Sequence, residues 1–224
     1  MFPRDPRSVN TRVDDNRLGR TRVDGQSWGV AADDGAGAHR DTAALEAGVP
    51  EVRDAPKDDG RVELIVARPD VEDRAILAEG TLDTRDGLVG DNWLPRGNRR
   101  REDGSADPEA QLTLMNARAA ALIAGARERW PLAGDQLYVD FDIGVDNLPP
   151  GSRLAIGEAV VEVSAKPHTG CAKFQARFGN DALRFVNSAV GRQLNLRGIN
   201  TKIVTGGVVR TGDAIRKLPM QRSR

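Results

Sequence analysis

The run Gln136-Leu-Tyr-Val-Asp-Phe-Asp142 sets Leu137, Val139 and Phe141 at every second position. Side chains alternate across a strand, so this run turns one face to a core and the other toward polar surroundings. Runs of the same kind recur along the chain. Arg61 to Ala67 is rich in β-branched residues and is stopped by Pro69, and residues 74–80 form a weaker second strand. Gln111 to Leu114, Arg153 to Ile156, Ala159 to Val163, Thr201 to Thr205 and Ala214 to Leu218 read alike. Pro149-Pro-Gly151, Gly157-Glu158, Gly206-Gly207 and Gly212-Asp213 punctuate them. Helical patterns are few. Asp107-Pro108 is a helix start, the alanine-rich stretch 116–125 is helical by propensity, and residues 180–190 set Ala182, Phe185, Val186 and Ala189 on one face. Many short strands with so few helices predict a mainly β fold, a closed and mostly antiparallel barrel with a few short helices.

The barrel is expected over residues 46–220, with a tail at 221–224. Residues 1–45 repeat Asp, Arg, Gly and Asn without a sustained period, and are expected to form a disordered N-terminal extension. No run of 18 apolar residues occurs, so no membrane-spanning helix is expected, and the N-terminus has no apolar core of a secretory signal. A single cysteine makes no internal disulfide, and a cytoplasmic location is the natural reading. Zinc-ligand spacing, a phosphate loop and a dinucleotide fingerprint are all missing from the sequence. Arg99-Arg-Arg101 reads as a solvated loop, and nucleic acid is not an expected partner.

Charge is distributed unevenly. The chain is neutral as a whole, but from Ser164 onward twelve lysines and arginines face only Asp181 and Asp213. That basic part contains Cys171, the only thiol, within His168-Thr-Gly-Cys171-Ala-Lys-Phe. Free cysteines are most often inert core residues. This setting is polar and glycine-flanked, which suits a ligand or nucleophile better than a core. His168 can move a proton near a substrate or simply orient the loop. The basic surface either attracts an anion or pairs with the acidic part of the fold.

Several segments together resemble the MOSC family, named for the C-terminal domain of molybdenum cofactor sulfurases. They are Gly87-Leu-Val-Gly-Asp91, Ala133-Gly-Asp-Gln-Leu137, Leu154-Ala-Ile-Gly-Glu158, Val161-Glu-Val163, Gly170-Cys-Ala-Lys-Phe174, Arg177-Phe-Gly179 and Gly207 through Asp213. The resemblance implies a β-barrel and a cysteine that binds the molybdenum cofactor or carries sulfur. One departure stands out: several bacterial members place a histidine soon after the glycine-aspartate pair, whereas Asn92 and Trp93 follow Asp91 here. The folded length leaves no room for the sulfurases' aminotransferase-like domain, so pyridoxal phosphate is not expected.

From the resemblance, Cys171 is the expected metal ligand and, with His168, the catalytic residue. Lys173, Arg177 and Arg197 are candidates for the cofactor's phosphate. Asp91, Asn92 and Asn116 are candidates for the pterin edge, although a turn is the better explanation of Asp91 and Asn92. The function implied is a molybdenum-dependent reductase of N-hydroxylated or related N–O substrates, served by a separate electron donor. Three alternatives stand beside it. One is a non-catalytic carrier of the cofactor that works with its biosynthetic proteins, and another is a sulfur relay through a Cys171 persulfide. The last is a non-catalytic barrel that binds an anionic partner.

Overall fold

The computed structural model describes residues 39–219. Residues 1–38 and 220–224 lie outside the described residues, and with them most of the expected extension and the tail. The first element, α1 (Thr42–Ala47), straddles position 45, with Asp41 accepting from the Ala44 amide as its cap. Then follow α2 (Val49–Arg53), β1 (Asp59–Ala67), β2 (Ala75–Leu77), β3 (Glu79–Asp83), β4 (Gly87–Leu88) and α3 (Trp93–Arg96). The centre of the chain holds β5 (Leu112–Asn116), α4 (Ala117–Ala124), a 3-10 helix over Arg127–Ala133, and β6 (Leu137–Asp140). The last part holds β7 (Arg153–Ile156), β8 (Ala159–Val163), α5 (Ala172–Asn187) and α6 (Ala189–Gln193). It ends in β9 (Ile199–Thr205), β10 (Gly207–Arg210) and β11 (Ala214–Lys217).

Seven strands close into a barrel in the order β11-β7-β8-β9-β5-β6-β1, and β1 pairs back onto β11. All pairs are antiparallel except β5 with β6, whose connection runs through α4. A side sheet of β10, β3 and β4 adjoins the barrel. The expected mostly antiparallel barrel is therefore the fold.

The apolar run in β1 has a specific cause. Ile65 and Ala67 belong to the barrel interior with Leu137 and Val139, while Leu64 and Val66 belong to a second core with Tyr138, Met115 and the helices. This wall of the barrel is covered on both faces, so its strand is continuously apolar. A register shift between Val62 and Leu64 puts Val62 on the interior side as well. Asn116 marks where strand becomes helix: its side chain accepts from the Arg118 and Ala119 amides.

Two local expectations change. The helix expected over 180–190 begins much earlier, at Ala172, bends at Gly179 (φ 89°) and ends at Asn187. Ala189 starts the separate α6, capped by Ser188. Phe174 and Phe178, one turn apart, anchor the first part of α5. Gly207, expected in a turn, instead opens β10 (Gly207–Arg210), which pairs with β3 along four positions.

Candidate functional site

Cys171 is exposed and stands immediately before α5, at its N-cap position. The cations near it in sequence are all engaged elsewhere. Lys166 pairs with Asp107. Lys173 lies 2.7 Å from Glu72, and Arg177 pairs with the other oxygen of the same carboxylate. Lys173 holds the Glu72 carboxyl below its ordinary range, ahead of the Arg177 contribution. Glu72 has a left-handed backbone (φ 62°), which is uncommon outside glycine.

Four arginines converge on the end of the 3-10 helix. Pro131 O accepts from the capping Gly134 amide, and the carbonyls of this helix end are each taken by a guanidinium. Arg74 donates to Pro131 O at 3.0 Å and Arg177 to Leu132 O at 2.7 Å. Arg197 donates to Ala133 O at 2.8 Å and Arg68 to Gly134 O at 2.9 Å. Arg68 also grips both oxygens of buried Asp91, at 2.8 and 3.0 Å, while Asp91 accepts from the Trp93 amide. Arg197 lies 2.6 Å from Asp135 and stacks over the Phe174 ring at 5.1 Å. Burial lowers the pKa of Arg74, and Arg177 and Arg68 lower it further.

His168 lies against this group. Its Nδ1 is sealed from solvent, 3.4 Å from Asp135 Oδ1, while the side chain keeps 18% exposure. Burial, then Arg197 and Arg68, hold its pKa well below the ordinary histidine value, so the ring is neutral. Burial pushes the Asp135 carboxyl up, and the Arg197 guanidinium opposes that push.

A cleft of about 510 Å³ opens beside these residues, lined by Trp93, Arg96, Arg99, Lys166 and Lys173 among others. Arg96 and Arg99 make no ion pair among the described residues, and both face the cleft. Burial lowers the pKa of Arg96, with Arg68 adding to the effect.

Asp135 brings His168 and Arg197 together, Glu72 joins Lys173 and Arg177, and Cys171 stands at the start of the helix that carries the latter two, with Asp91 and Asn92 reached through Arg68. Asn92 donates its amide to Arg68 O, and its side-chain Oδ1 is buried without a partner. Asn116 stands apart: it caps α4 and donates to Phe141 O. Asp91 is likewise saturated by Arg68 and Trp93. Sequence reasoning missed Arg68, Glu72, Arg74, Arg96 and Asp135. Asp135 had a signal in Gly134-Asp135, and Arg68 in its place beside Pro69; the others had none. Among the described residues no group of three or more His, Cys, Asp or Glu could hold a metal by itself. No described helix is long and apolar enough to cross a membrane.

The basic C-terminal part is largely neutralised by the acidic part. Arg216 pairs with Asp59, Lys217 with Asp58, Lys202 with Glu162 and Arg210 with Glu79.

Solved structures similar to this chain include two bacterial proteins, of which the first shares its fold. The YuaD protein from Bacillus subtilis is similar over 73% of this chain and 97% of its own, with 17% identity and a TM-score of 0.54. YiiM from Escherichia coli is similar over 73% of this chain and 72% of its own, with 19% identity and a TM-score of 0.47. No curated protein matches the chain. The model of the MOSC domain matches residues 101–216. The matched segment is more than half of the sequence and carries Asp135, His168, Cys171 and Arg197, and the chain belongs to the MOSC domain family.

Proposed function

We propose that this MOSC protein binds the molybdenum cofactor at the cleft and its rim, with Cys171 as metal ligand, and that the loaded protein reduces N-hydroxylated or related N–O substrates. The family is associated with that cofactor, and the residues present fit it. The observation that carries the reading is an exposed thiol two residues from Lys173, which lines a cleft bearing Arg96 and Arg99, neither in an ion pair among the described residues. A thiolate is a soft ligand suited to a thiophilic metal. Guanidinium groups held in place suit a phosphate. Asn92 Oδ1 and Arg197 Nε, both buried without partners, supply an acceptor and a donor of the kind a heterocycle edge requires.

When bound, the cofactor supplies a metal that exchanges an oxygen atom and an electron pair with the substrate. Reducing an N–OH group to N–H and water takes two electrons and two protons, and the electrons come from a separate donor. In this proposal Arg96 and Arg99 hold the anionic group, and Lys173, paired with Glu72, stands at the edge of the cleft. Arg177 acts as a fixed support through the Leu132 carbonyl, and Arg197 is anchored by Ala133 O and Asp135 through its two terminal nitrogens, which leaves its Nε for the heterocycle edge. Asp91 acts through Arg68, and His168 offers a hydrogen bond beside the substrate.

The exposure of Cys171 also favours a second reading, sulfur relay through a persulfide, because a relay thiol must be reached by its donor and acceptor. Cys171→Ser, made in a host that produces the cofactor, tests the first. We expect normal melting with most molybdenum and pterin lost. Full molybdenum content in a normally melting variant removes Cys171 from the metal. Cyanide-labile sulfur on the wild type, combined with that result, moves the function to sulfur relay.

A further inference from the structure

The geometry points to Asp135 as the positioning residue of His168. It fixes the imidazole with its proton on Nδ1 and leaves the Nε2 lone pair open to a ligand N–H or O–H. The inference deepens the reading of His168 as part of the cofactor site and rests on it only for the identity of the ligand.

The argument begins with the carboxylate, which is fully buried. Its Oδ2 is held by Arg197 Nη1 at 2.6 Å. Arg197 is pinned in turn by Ala133 O and by the Phe174 ring. The carboxylate is therefore held on one side, and its Oδ1 lies 3.4 Å from His168 Nδ1. Neither atom has a formed hydrogen bond among the described residues, and both are sealed from solvent, so each is the nearest group able to satisfy the other. A lone pair on Nδ1 would face a carboxylate oxygen, two acceptors in a site that water does not reach. A proton on Nδ1 turns the same approach into a charge-assisted hydrogen bond. The neutral ring has one proton, so Nε2 then carries the lone pair. Nε2 is bonded by no described group and is not among the sealed atoms, so the ring's remaining exposure lies on that side.

The ring is kept neutral as well as oriented. Charged groups face it from three elements. Asp135 precedes β6, Arg197 precedes β9, and Arg68 follows β1. The two guanidinium groups and burial oppose a second proton. Gly198 completes the enclosure. It has φ 101°, and a Cβ there would lie 3.2 Å from His168 Nδ1, 3.1 Å from Asp135 Oδ1 and 2.5 Å from Leu114 O. Only a bare backbone comes that close and still shuts water out. An open Nε2 acceptor selects ligands with a donor at that point, such as a heterocycle N–H or the O–H of an N-hydroxy group. It disfavours a bare carbonyl or phosphate oxygen there.

The test reads the tautomer directly and needs no cofactor. The chain has two histidines, so in the His39→Gln variant the ¹⁵N spectrum of the imidazole reports His168 alone. Near neutral pH we expect a protonated, pyrrole-type Nδ1 and an unprotonated, pyridine-type Nε2. Asp135→Asn should invert this. The amide oxygen would turn to Arg197 and its NH₂ would donate to Nδ1, which forces the proton onto Nε2. A wild-type ring with its proton on Nε2, or one protonated on both nitrogens at pH 7, overturns the inference. So does Asp135→Asn that folds and keeps the wild-type tautomer. If Asp135→Asn does not fold, the wild-type spectrum decides alone. The measurement is independent of the metal reading, since a wrong assignment of Cys171 leaves the imidazole spectrum unchanged.

Discussion

Arg96 and Arg197 are both cations at the site, yet their surroundings assign them opposite kinds of work. Arg197 is buried against Asp135, and removing it leaves that carboxylate uncompensated. Arg197→Ala should therefore destabilise the fold by about 3–5 kcal/mol, read from denaturant unfolding. Arg96 lines the cleft and makes no ion pair among the described residues. Arg96→Ala should leave stability within about 0.5 kcal/mol. It should weaken retention of the molybdenum cofactor by about 1.5–3 kcal/mol, the value of a charged hydrogen bond. Unchanged cofactor content would move the anion elsewhere. His168 gives a pH dependence. Because its folded pKa is depressed, the unfolded chain binds a proton that the folded chain refuses as pH falls below about 6.5. Its stabilising contribution is complete above that pH and declines below it, by at most about 1.4 kcal/mol per pH unit. Wild type should thus lose more stability than His168→Gln between pH 7 and pH 5. An equal loss in both proteins would place the imidazole in an ordinary, solvated setting.

Among the elements, α5 matters most because its start positions the thiol and its first two turns carry Lys173, Phe174 and Arg177. Its bend at Gly179 has an identifiable partner: the His39 ring, whose Nδ1 would lie 2.8 Å from a Cβ at that position. Gly179→Ala meets both the left-handed backbone and this contact. We expect a loss of about 1–3 kcal/mol in denaturant unfolding. A neutral effect would mean that the segment before α1 does not rest on the bend. The bend also explains why only half of α5 was legible. Phe174, Phe178, Ala182, Phe185 and Val186 keep one helical spacing, but a glycine inside it reads as a stop, so the sequence carries the helix back only to residue 180. Asn116 shows the reverse case. Its strand and helix were both readable, but the capping bonds that fix the boundary depend on which side chain turns back on its own backbone.

At the scale of the whole molecule, the barrel was readable because alternation is a local property, present in each strand before any strand finds its neighbour. The parallel β5–β6 pair was not, since it depends on a connection rather than on a pattern. Cys171 and His168 stood out as rare residues in an atypical setting. Arg68, Glu72 and Asp135 did not, because each acquires its role from a partner at least 23 residues away, such as Arg68 with Asp91 or Asp135 with Arg197. The uneven charge of the two parts proved mostly a matter of internal pairing, while Arg96 and Arg99 line the cleft without an ion pair among the described residues. The four arginines on carbonyls 131 to 134 carry a further consequence. They arrive from the end of β1, the segment before β2, the first half of α5 and the approach to β9, so four separate stretches of chain are riveted to one turn. A strain applied to any one of them is shared by the rest. The turn at 131–134 is thus a hub, and loosening one arginine is expected to be felt by the three segments that hold the others.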